Sequence, residues 1–183
     1  MSHVIYIIGY PGSGKTTALR TVLADLPDEP VTHKAPVPHV RRGPIWHLGV
    51  ETDGPFSGTD KLSMSIQPKA VTWLSEGLEG CDVLIAEGDR LANVSFFAQV
   101  RLTGHHLTVV NFDLPPTLAR DRALHRAGTN GLTAQPDSWW RGRVTKTDRL
   151  TSSRPTLTID ATAPPEAVAH QLAQIIPHRQ PAH

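Results

Sequence analysis

The chain has 183 residues, with 18 Lys and Arg against 17 Asp and Glu, and 39% of its residues are hydrophobic. Folding a chain of this length buries about 70% of its unfolded surface, which excludes wholesale disorder and predicts a globular protein. The formal net charge of +1 excludes a protein that coats DNA through its total charge, so any affinity for polyanions must come from local clusters of cations. The single cysteine, Cys81, excludes an intrachain disulfide and a cysteine-rich zinc site.

Apolar, β-branched runs alternate with helical patterns along most of the chain, which predicts a three-layer α/β fold with a parallel sheet flanked by helices. Strands are predicted over residues 4–9, 83–87, 107–112 and 156–160. Helices are predicted over residues 16–26, 93–103, 118–126 and 165–176. The first apolar run is too short for a signal peptide or a membrane span, so we expect a soluble, cytoplasmic protein with no membrane partner.

Two stretches interrupt this alternation. Residues 27–68 contain seven of the 16 prolines, and residues 128–142 contain a Gly/Asn/Pro segment followed by Trp139 and Trp140. Long irregular segments inside a compact domain are usually functional loops or lids. We therefore predict one domain over residues 1–176, with an insertion at about 27–68, a lid at about 120–150 and a flexible tail at 177–183.

The strongest motif follows the first predicted strand. Residues 9–16, Gly-Tyr-Pro-Gly-Ser-Gly-Lys-Thr, match the phosphate-binding pattern G-x-x-x-x-G-K-[ST] and precede a predicted helix. Its glycines let backbone N–H groups surround phosphate oxygens, while Lys15 reaches the β- and γ-phosphates and the Thr16 hydroxyl can bind Mg²⁺. We predict ATP and Mg²⁺ as cofactors and a catalytic role for Lys15. The predicted nucleotide-binding residues are Gly9, Gly12, Ser13, Gly14, Lys15, Thr16 and Thr17.

Two acidic residues follow the second predicted strand. A phosphate loop of this kind works with a carboxylate on a neighbouring strand that organises the metal, and the run ending in Glu87-Gly-Asp89 supplies two candidates. Glu87 continues the strand directly, so we favour it slightly, while Asp89 stays open as the metal residue. Either carboxylate could instead cap the following helix or pair with Arg90.

With these motifs the chain resembles the small P-loop kinases of nucleosides, nucleotides and related hydroxyl acceptors. Beyond the phosphate loop, the resemblance rests on the small size of the chain, on a basic segment after the third strand, and on residues 159–168. The basic segment contains Arg120, Arg122 and Arg126 and looks like the start of a kinase lid. Residues 159–168 are similar to the turn that packs near the adenine in these kinases. The resemblance implies a P-loop kinase fold, phosphotransfer from ATP, and nucleotide contacts from Arg120.

Three shorter stretches give a narrower resemblance. Residues 58–64, 87–91 and 140–146 look like segments of phage and actinobacterial P-loop kinases, a group similar to kinases that phosphorylate the hydroxymethyl group of modified pyrimidines in DNA. This resemblance implies a nucleoside, a nucleotide or DNA as the acceptor. Residues 101–154 carry nine Lys and Arg against four Asp, a charge that would also suit a nucleic-acid phosphate track.

The basic lid has a chemical reason of its own. Phosphoryl transfer leaves negative charge on the migrating group, which guanidinium groups stabilise when they close over it. Arg122 and Arg126 lie four residues apart and so share one face of a helix, and we predict catalytic roles for both. Arg143 is a predicted substrate-binding residue. A solvated helix face with Arg–Asp pairs would produce a similar pattern.

Acceptor sites of P-loop kinases are usually built in the insertion. A hydroxyl acceptor needs a carboxylate that orients it and takes its proton. We favour Asp60 as this base and keep Asp53 as the other candidate, although both could simply satisfy backbone N–H groups in turns. Arg41 and Arg42 are predicted to bind an acidic substrate, and Trp46 and Phe56 offer stacking surfaces.

Two functions therefore remain open. The first is a kinase that uses ATP and Mg²⁺. The second is a nucleotide-binding P-loop NTPase or switch whose hydrolysis drives a protein partner. A GTPase is disfavoured because the sequence contains no Asn-Lys-x-Asp motif.

Overall fold

The chain is described by a computed structural model that covers residues 1–54, 56–153 and 157–176. Seven strands in these residues form one sheet: β1 His3–Gly9, β2 Val31–His33, β3 His39–Arg42, β4 Ile45–Leu48, β5 Val83–Glu87, β6 His106–Asp113 and β7 Leu157–Asp160. Six α-helices surround it: α1 Lys15–Ala24, α2 Ile66–Ser75, α3 Val94–Leu102, α4 Pro116–Thr129, α5 Asp137–Ser152 and α6 Pro165–Ile175. A short 3₁₀ helix, Thr59–Lys61, precedes α2.

The sheet order is β2-β3-β4-β5-β1-β6-β7. The five strands from β4 to β7 in this order are parallel, and β2 and β3 extend the sheet as antiparallel strands beside β4. Parallel strands are joined by helices that cover both faces of the sheet, which explains why their sequences are almost continuously apolar.

The central strand β1 divides the core into two halves. Because side chains alternate along a strand, Val4, Tyr6 and Ile8 lie on the face covered by α2 and α3. Ile5 and Ile7 lie on the opposite face, which α1 and α6 cover. Both faces are closed to water, so the sheet forms a rigid support for the loops at its carboxyl edge.

The strand register brings the predicted site residues to that edge. Ile7 of β1 pairs with Glu87 of β5, and Gly9 pairs with Phe112 of β6. The phosphate loop therefore begins beside the last residue of β5. Ligands of open α/β sheets bind at this edge, in the crevice between neighbouring strand ends.

The structure confirms the predicted α/β architecture and corrects two local predictions. Residues 27–68, predicted to be irregular, contain β2, β3, β4 and the 3₁₀ helix, and residues 137–142 lie in α5. The strands β2, β3 and β4 were not predicted from the sequence because each has only three or four residues and lies among prolines and turns. Gly43, with φ of 51°, turns the chain between β3 and β4. The predicted tail at 177–183 lies outside the described residues. Among the residues that the structure describes, no helix is long and apolar enough to cross a membrane.

Candidate active site

The phosphate loop adopts a conformation that requires glycine. Gly12 has φ of 88°, and a Cβ atom built there would lie 2.2 Å from the backbone oxygen of Ala119 in α4. Gly14 also has a positive φ, of 87°, immediately before α1. The loop thus turns tightly under α4 and directs the N-terminus of α1 toward the carboxyl edge of the sheet, where a helix N-terminus favours anions.

Lys15 lies inside this loop. Its Nζ donates hydrogen bonds of 3.0 Å to the backbone oxygens of Gly9 and Tyr10. Burial lowers the pKa of Lys15, while the nearby carboxylates of Glu87 and Asp60 act in the opposite direction. A partly buried ammonium group inside a glycine-rich turn is typical of sites that bind a phosphate chain.

Thr16 and Glu87, two of the three residues predicted for the metal, contact each other. The Thr16 hydroxyl donates to Glu87 Oε1 over 3.1 Å, and Glu87 is only 2% exposed. Burial raises the pKa of Glu87, and its electrostatic interactions with Lys15 and His47 act in the opposite direction. In the described residues no three His, Cys, Asp or Glu side chains form a metal cluster. A hydroxyl and one carboxylate nevertheless suit Mg²⁺, which takes hard oxygen ligands and completes its shell with water and phosphate.

Asp89 is engaged elsewhere. Its carboxylate pairs with Arg143 and with Lys146, whose Nζ lies 2.9 Å from Asp89 Oδ1. Lys146 also donates to the backbone oxygen of Asp89 over 2.8 Å. The two carboxylates proposed for the metal are thus separated: the geometry favours Glu87 for this role, and Asp89 attaches α5 to the loop after β5.

Asp60 lies across the cavity from the phosphate loop. Its Oδ1 accepts a 2.6 Å hydrogen bond from the backbone N–H of Asp89, which fixes the carboxylate at the carboxyl edge of β5. Removal of water by the cavity walls raises the pKa of Asp60, and the positive charges of Lys15 and Arg143 limit the rise. Asp53 lies apart from this group, in a second cavity beside Arg42, His47 and Glu51.

We call the cavity between Lys15 and Asp60 the catalytic cavity. It has a volume of about 270 Å³ and lies between the phosphate loop, the 3₁₀ helix, the loop after β5, and helices α4 and α5. The predicted residues that line it are Gly9, Gly12, Gly14, Lys15, Thr16, Thr17, Asp60, Glu87, Asp89, Arg126 and Arg143. Ser13 is buried next to it and lines a neighbouring cavity.

The three predicted arginines of α4 have different surroundings. Arg126 reaches the catalytic cavity and also lines two neighbouring cavities. Arg122 donates to the backbone oxygen of Ala161 over 3.1 Å and lines a cavity with Gly12, Thr17 and other residues next to α6. Arg120 pairs with Asp137 at the start of α5. The geometry therefore places Arg126 at the catalytic cavity and Arg122 in the neighbouring cavity beside α6.

Two predicted substrate-binding residues lie away from the catalytic cavity. Arg41 stacks over the Trp46 ring at 3.8 Å from its centroid. Arg42 makes a bidentate ion pair with Glu51, with N–O distances of 2.8 and 2.7 Å. The structure does not bring either guanidinium to the cavity where we expected them, because partners on their own hairpin and the following loop engage them.

The structure also brings in residues that the sequence analysis did not single out for the site. Arg90 lines the catalytic cavity and points an Nη toward the backbone oxygen of Asp60 at 3.5 Å. Trp139 and Thr147 line it from α5. Arg90 could have been predicted as a site residue because it directly follows Glu87-Gly-Asp89. Trp139 and Thr147 could not, because their place in the site depends on the path of α5.

Comparison with known proteins identifies the family of the chain and agrees with its fold. A family model described as P-loop Nucleotide Kinase3 matches residues 1–163. No curated protein matches the chain. Among solved structures, the chain is similar to a gluconokinase from Sinorhizobium meliloti 1021, with 15% identity, 94% of each chain covered and a TM-score of 0.52. It also matches a deoxyadenosine kinase from M. mycoides with bound dATP, with 15% identity, coverage of 94% and 98%, and a TM-score of 0.49. At 15% identity the likeness to the gluconokinase is one of fold alone.

Proposed function

We propose that this chain transfers the γ-phosphoryl group of ATP to a hydroxyl group of a nucleotide acceptor. The chain belongs to the P-loop Nucleotide Kinase3 family and is a P-loop kinase. The observation that carries the proposal is the catalytic cavity, because Lys15 of the phosphate loop and Asp60 both line this one space. A kinase needs a phosphate-holding group at one end of its site and a hydroxyl-orienting group at the other.

At the nucleotide end, the loop amides and Lys15 would bind the β- and γ-phosphates. The cavity lined by Arg122, Ala161 and Pro165 would receive the base, since it adjoins the N-terminus of α1 and offers both apolar surface and a guanidinium group. Arg126 lies between this cavity and the catalytic cavity, where its guanidinium group would stabilise charge on the migrating phosphoryl group.

Thr16 and Glu87 fit a magnesium ion, because the Thr16 hydroxyl and the Glu87 carboxylate lie in contact and both offer oxygen ligands. Bound Mg²⁺ would neutralise charge between the β- and γ-phosphate oxygens. Glu87 is suited to this because it is buried at the end of β5, so its carboxylate is held in place by the sheet.

At the acceptor end, Asp60 would accept a hydrogen bond from the acceptor hydroxyl. The hydroxyl oxygen attacks the γ-phosphorus, the bond from that phosphorus to the β–γ bridging oxygen breaks, and ADP leaves with the electron pair. The hydroxyl proton passes to the Asp60 carboxylate. The raised pKa of Asp60 makes it a better proton acceptor than an ordinary aspartate.

For the acceptor we propose a modified pyrimidine that carries a hydroxymethyl group in DNA. The three stretches that carry the narrower resemblance meet at this site, through contacts of Asp89 with Asp60, Arg143 and Lys146. Arg90, Arg126 and Arg143 line this cavity, and among the described residues Arg143 pairs with Asp89 while Arg90 and Arg126 have no ion pair. A polynucleotide acceptor carries the phosphates that such a surface attracts.

The test is the fate of the γ-phosphate. The protein is incubated with γ-labelled ATP and Mg²⁺, and with nucleosides, nucleoside monophosphates, sugars, or DNA with and without hydroxymethylpyrimidine. We expect label on hydroxymethylated DNA and none on unmodified DNA of the same sequence. Labelling of a free nucleotide or a sugar instead would retain the kinase and overturn the acceptor, whereas label found only in free phosphate would overturn both.

A further inference from the structure

A second concave surface adjoins the catalytic cavity between α4 and α5. We call it the α4–α5 groove; it has a volume of about 320 Å³ and is lined mainly by apolar and aromatic side chains. They include Phe56, Leu124, Leu132, Trp139 and Trp140. Its size is at the lower end of the range of about 300–1,000 Å³ that is typical of sites for small ligands or single groups.

Three apolar walls of this groove are exposed to water. Phe56 is 41% exposed, Leu124 43% and Leu132 41%. Single exposed apolar residues are common on protein surfaces, but a contiguous set that forms a concave surface marks a binding site. The groove shares Pro11, Arg126 and two of its aromatic walls with the catalytic cavity, so an occupant would lie directly beside the reacting groups.

Charge restricts the kind of occupant. Arg120 and Arg126 lie among the lining residues, and the Arg126 guanidinium carbon is 5.9 Å from the centroid of the Phe56 ring. Arg143 lies 5.1 Å from the centroid of the Trp139 ring. Aromatic faces that alternate with guanidinium groups suit a flat base joined to phosphates, because the rings stack on the base and the cations pair with the backbone. Arg120 pairs with Asp137 and Arg143 pairs with Asp89, whereas Arg126 has no ion pair among the described residues. An apolar peptide or a lipid chain would leave the Arg126 guanidinium without a counter-charge.

We propose that the α4–α5 groove binds a nucleobase of the acceptor strand next to the nucleotide that is phosphorylated, stacked on Trp139 and Phe56. This inference rests on the proposed function and deepens it, since it makes a single-stranded or locally opened polynucleotide the substrate. The neighbouring base lies beside the walls that the two cavities share. Arg126, at that junction, then lies close to the phosphate between the two nucleotides.

The test measures binding without turnover. Fluorescently labelled single-stranded oligothymidylate is titrated with protein in the absence of ATP, and thymidine monophosphate is used as a competitor to measure affinity for one nucleotide. Trp139→Ala removes a stacking ring, Trp139→Phe retains one, and Leu124→Ser changes a groove wall that does not line the catalytic cavity. Leu118→Ala, at an exposed position of α4 that is not among the groove residues, is the matched control.

Loss of one base stack weakens strand binding about 5- to 150-fold. We expect a loss in this range for Trp139→Ala, a smaller loss for Trp139→Phe and Leu124→Ser, and no change for the control. In Trp139→Ala, the affinity for thymidine monophosphate falls by a smaller factor than the affinity for the strand. Circular dichroism verifies that each variant is folded.

Other outcomes separate this inference from the proposed function. Equal strand binding by all variants overturns the inference and assigns the groove to another occupant, such as an apolar side chain of a protein. Equal losses for strand and monophosphate also overturn it, because the groove would then not hold a second base. If the strand binds through Trp139 but no phosphate is transferred to any acceptor, the groove assignment stands and the proposed function fails.

Discussion

Replacement of Glu51 by Gln tests the electrostatic network beside β4. Glu51 accepts two hydrogen bonds from Arg42, and Oε1 also lies 2.8 Å from Nδ1 of His47. Burial alone would raise the pKa of Glu51, but these hydrogen bonds and positive charges lower it from 4.5 to about 2. Each unit of pKa corresponds to about 1.4 kcal/mol, so the ionised form of Glu51 stabilises the folded protein by about 3 kcal/mol.

The neutral amide leaves the Arg42 guanidinium, with a side chain only 10% exposed, without its counter-charge. Loss of one partner of a buried ion pair costs about 3–5 kcal/mol, which agrees with the value from the pKa. The free energy of unfolding is measured by urea titration at several pH values for wild type, Glu51→Gln and the exposed control Glu79→Gln. We expect a loss of about 3 kcal/mol at pH 7 for Glu51→Gln and a change near zero for the control.

The pH dependence gives a second check. Because the folded-state pKa is lowered, the stabilisation is fully present above pH 4.5 and is lost as the pH falls toward 2. The difference between wild type and Glu51→Gln therefore narrows over that interval. A difference that stays constant from pH 7 to pH 3, or is below about 1 kcal/mol at pH 7, would refute the ion-pair reasoning.

Four further predictions concern the catalytic cavity. Lys15→Ala abolishes transfer and leaves the helical circular dichroism unchanged, because the ammonium group is needed only for phosphate charge. Glu87→Gln raises the Mg²⁺ concentration for half-maximal activity more than Asp89→Asn does, since Glu87 contacts Thr16. Asp60→Asn lowers kcat about 10²-fold with little change in the Kd for ATP, and the wild-type rate falls as the pH drops toward the raised pKa of Asp60. Arg126→Ala lowers kcat, and Arg126→Lys restores part of it because a point charge replaces a planar guanidinium.

Specific outcomes would contradict the predictions for Lys15, for the two carboxylates Glu87 and Asp89, and for Asp60. Transfer at the wild-type rate by Lys15→Ala would remove the phosphate loop from the mechanism. Equal shifts in metal dependence for the two carboxylate variants would place the metal elsewhere. Asp53→Asn is the matched control for Asp60→Asn, because Asp53 lies in the second cavity. A larger loss of kcat in that control would exchange their assigned roles.

The sequence predicted the features that depend on local spacing. The glycine pattern of residues 9–16 determined the phosphate loop, and the parallel strands placed Glu87 beside it because strand ends meet at one edge of a sheet. The short strands β3 and β4 escaped prediction because four residues among prolines carry too little periodicity to identify a strand.

Contacts between distant parts of the chain could not be predicted in the same way. The sequence favoured Glu87 only slightly over Asp89 for the metal, and it gave no sign that Lys146, 57 residues later, and Arg143 lie at the Asp89 carboxylate. The role of Trp139 as a wall of both cavities depends on the path of α5, which packs Trp140 on one face of the sheet and Leu150 on the other. Such packing follows from tertiary structure and leaves no periodic signal in a single sequence.

The most direct test of the account is a single-turnover experiment with protein in excess of ATP. Rapid quenching measures ADP and phosphorylated DNA at the same time points, with an oligonucleotide that contains one hydroxymethylpyrimidine. We predict that both products form at one rate and in equal amounts. ADP that appears with free phosphate while the oligonucleotide stays unmodified would contradict the proposed transfer of the phosphoryl group from ATP to DNA in the cavity between Lys15 and Asp60.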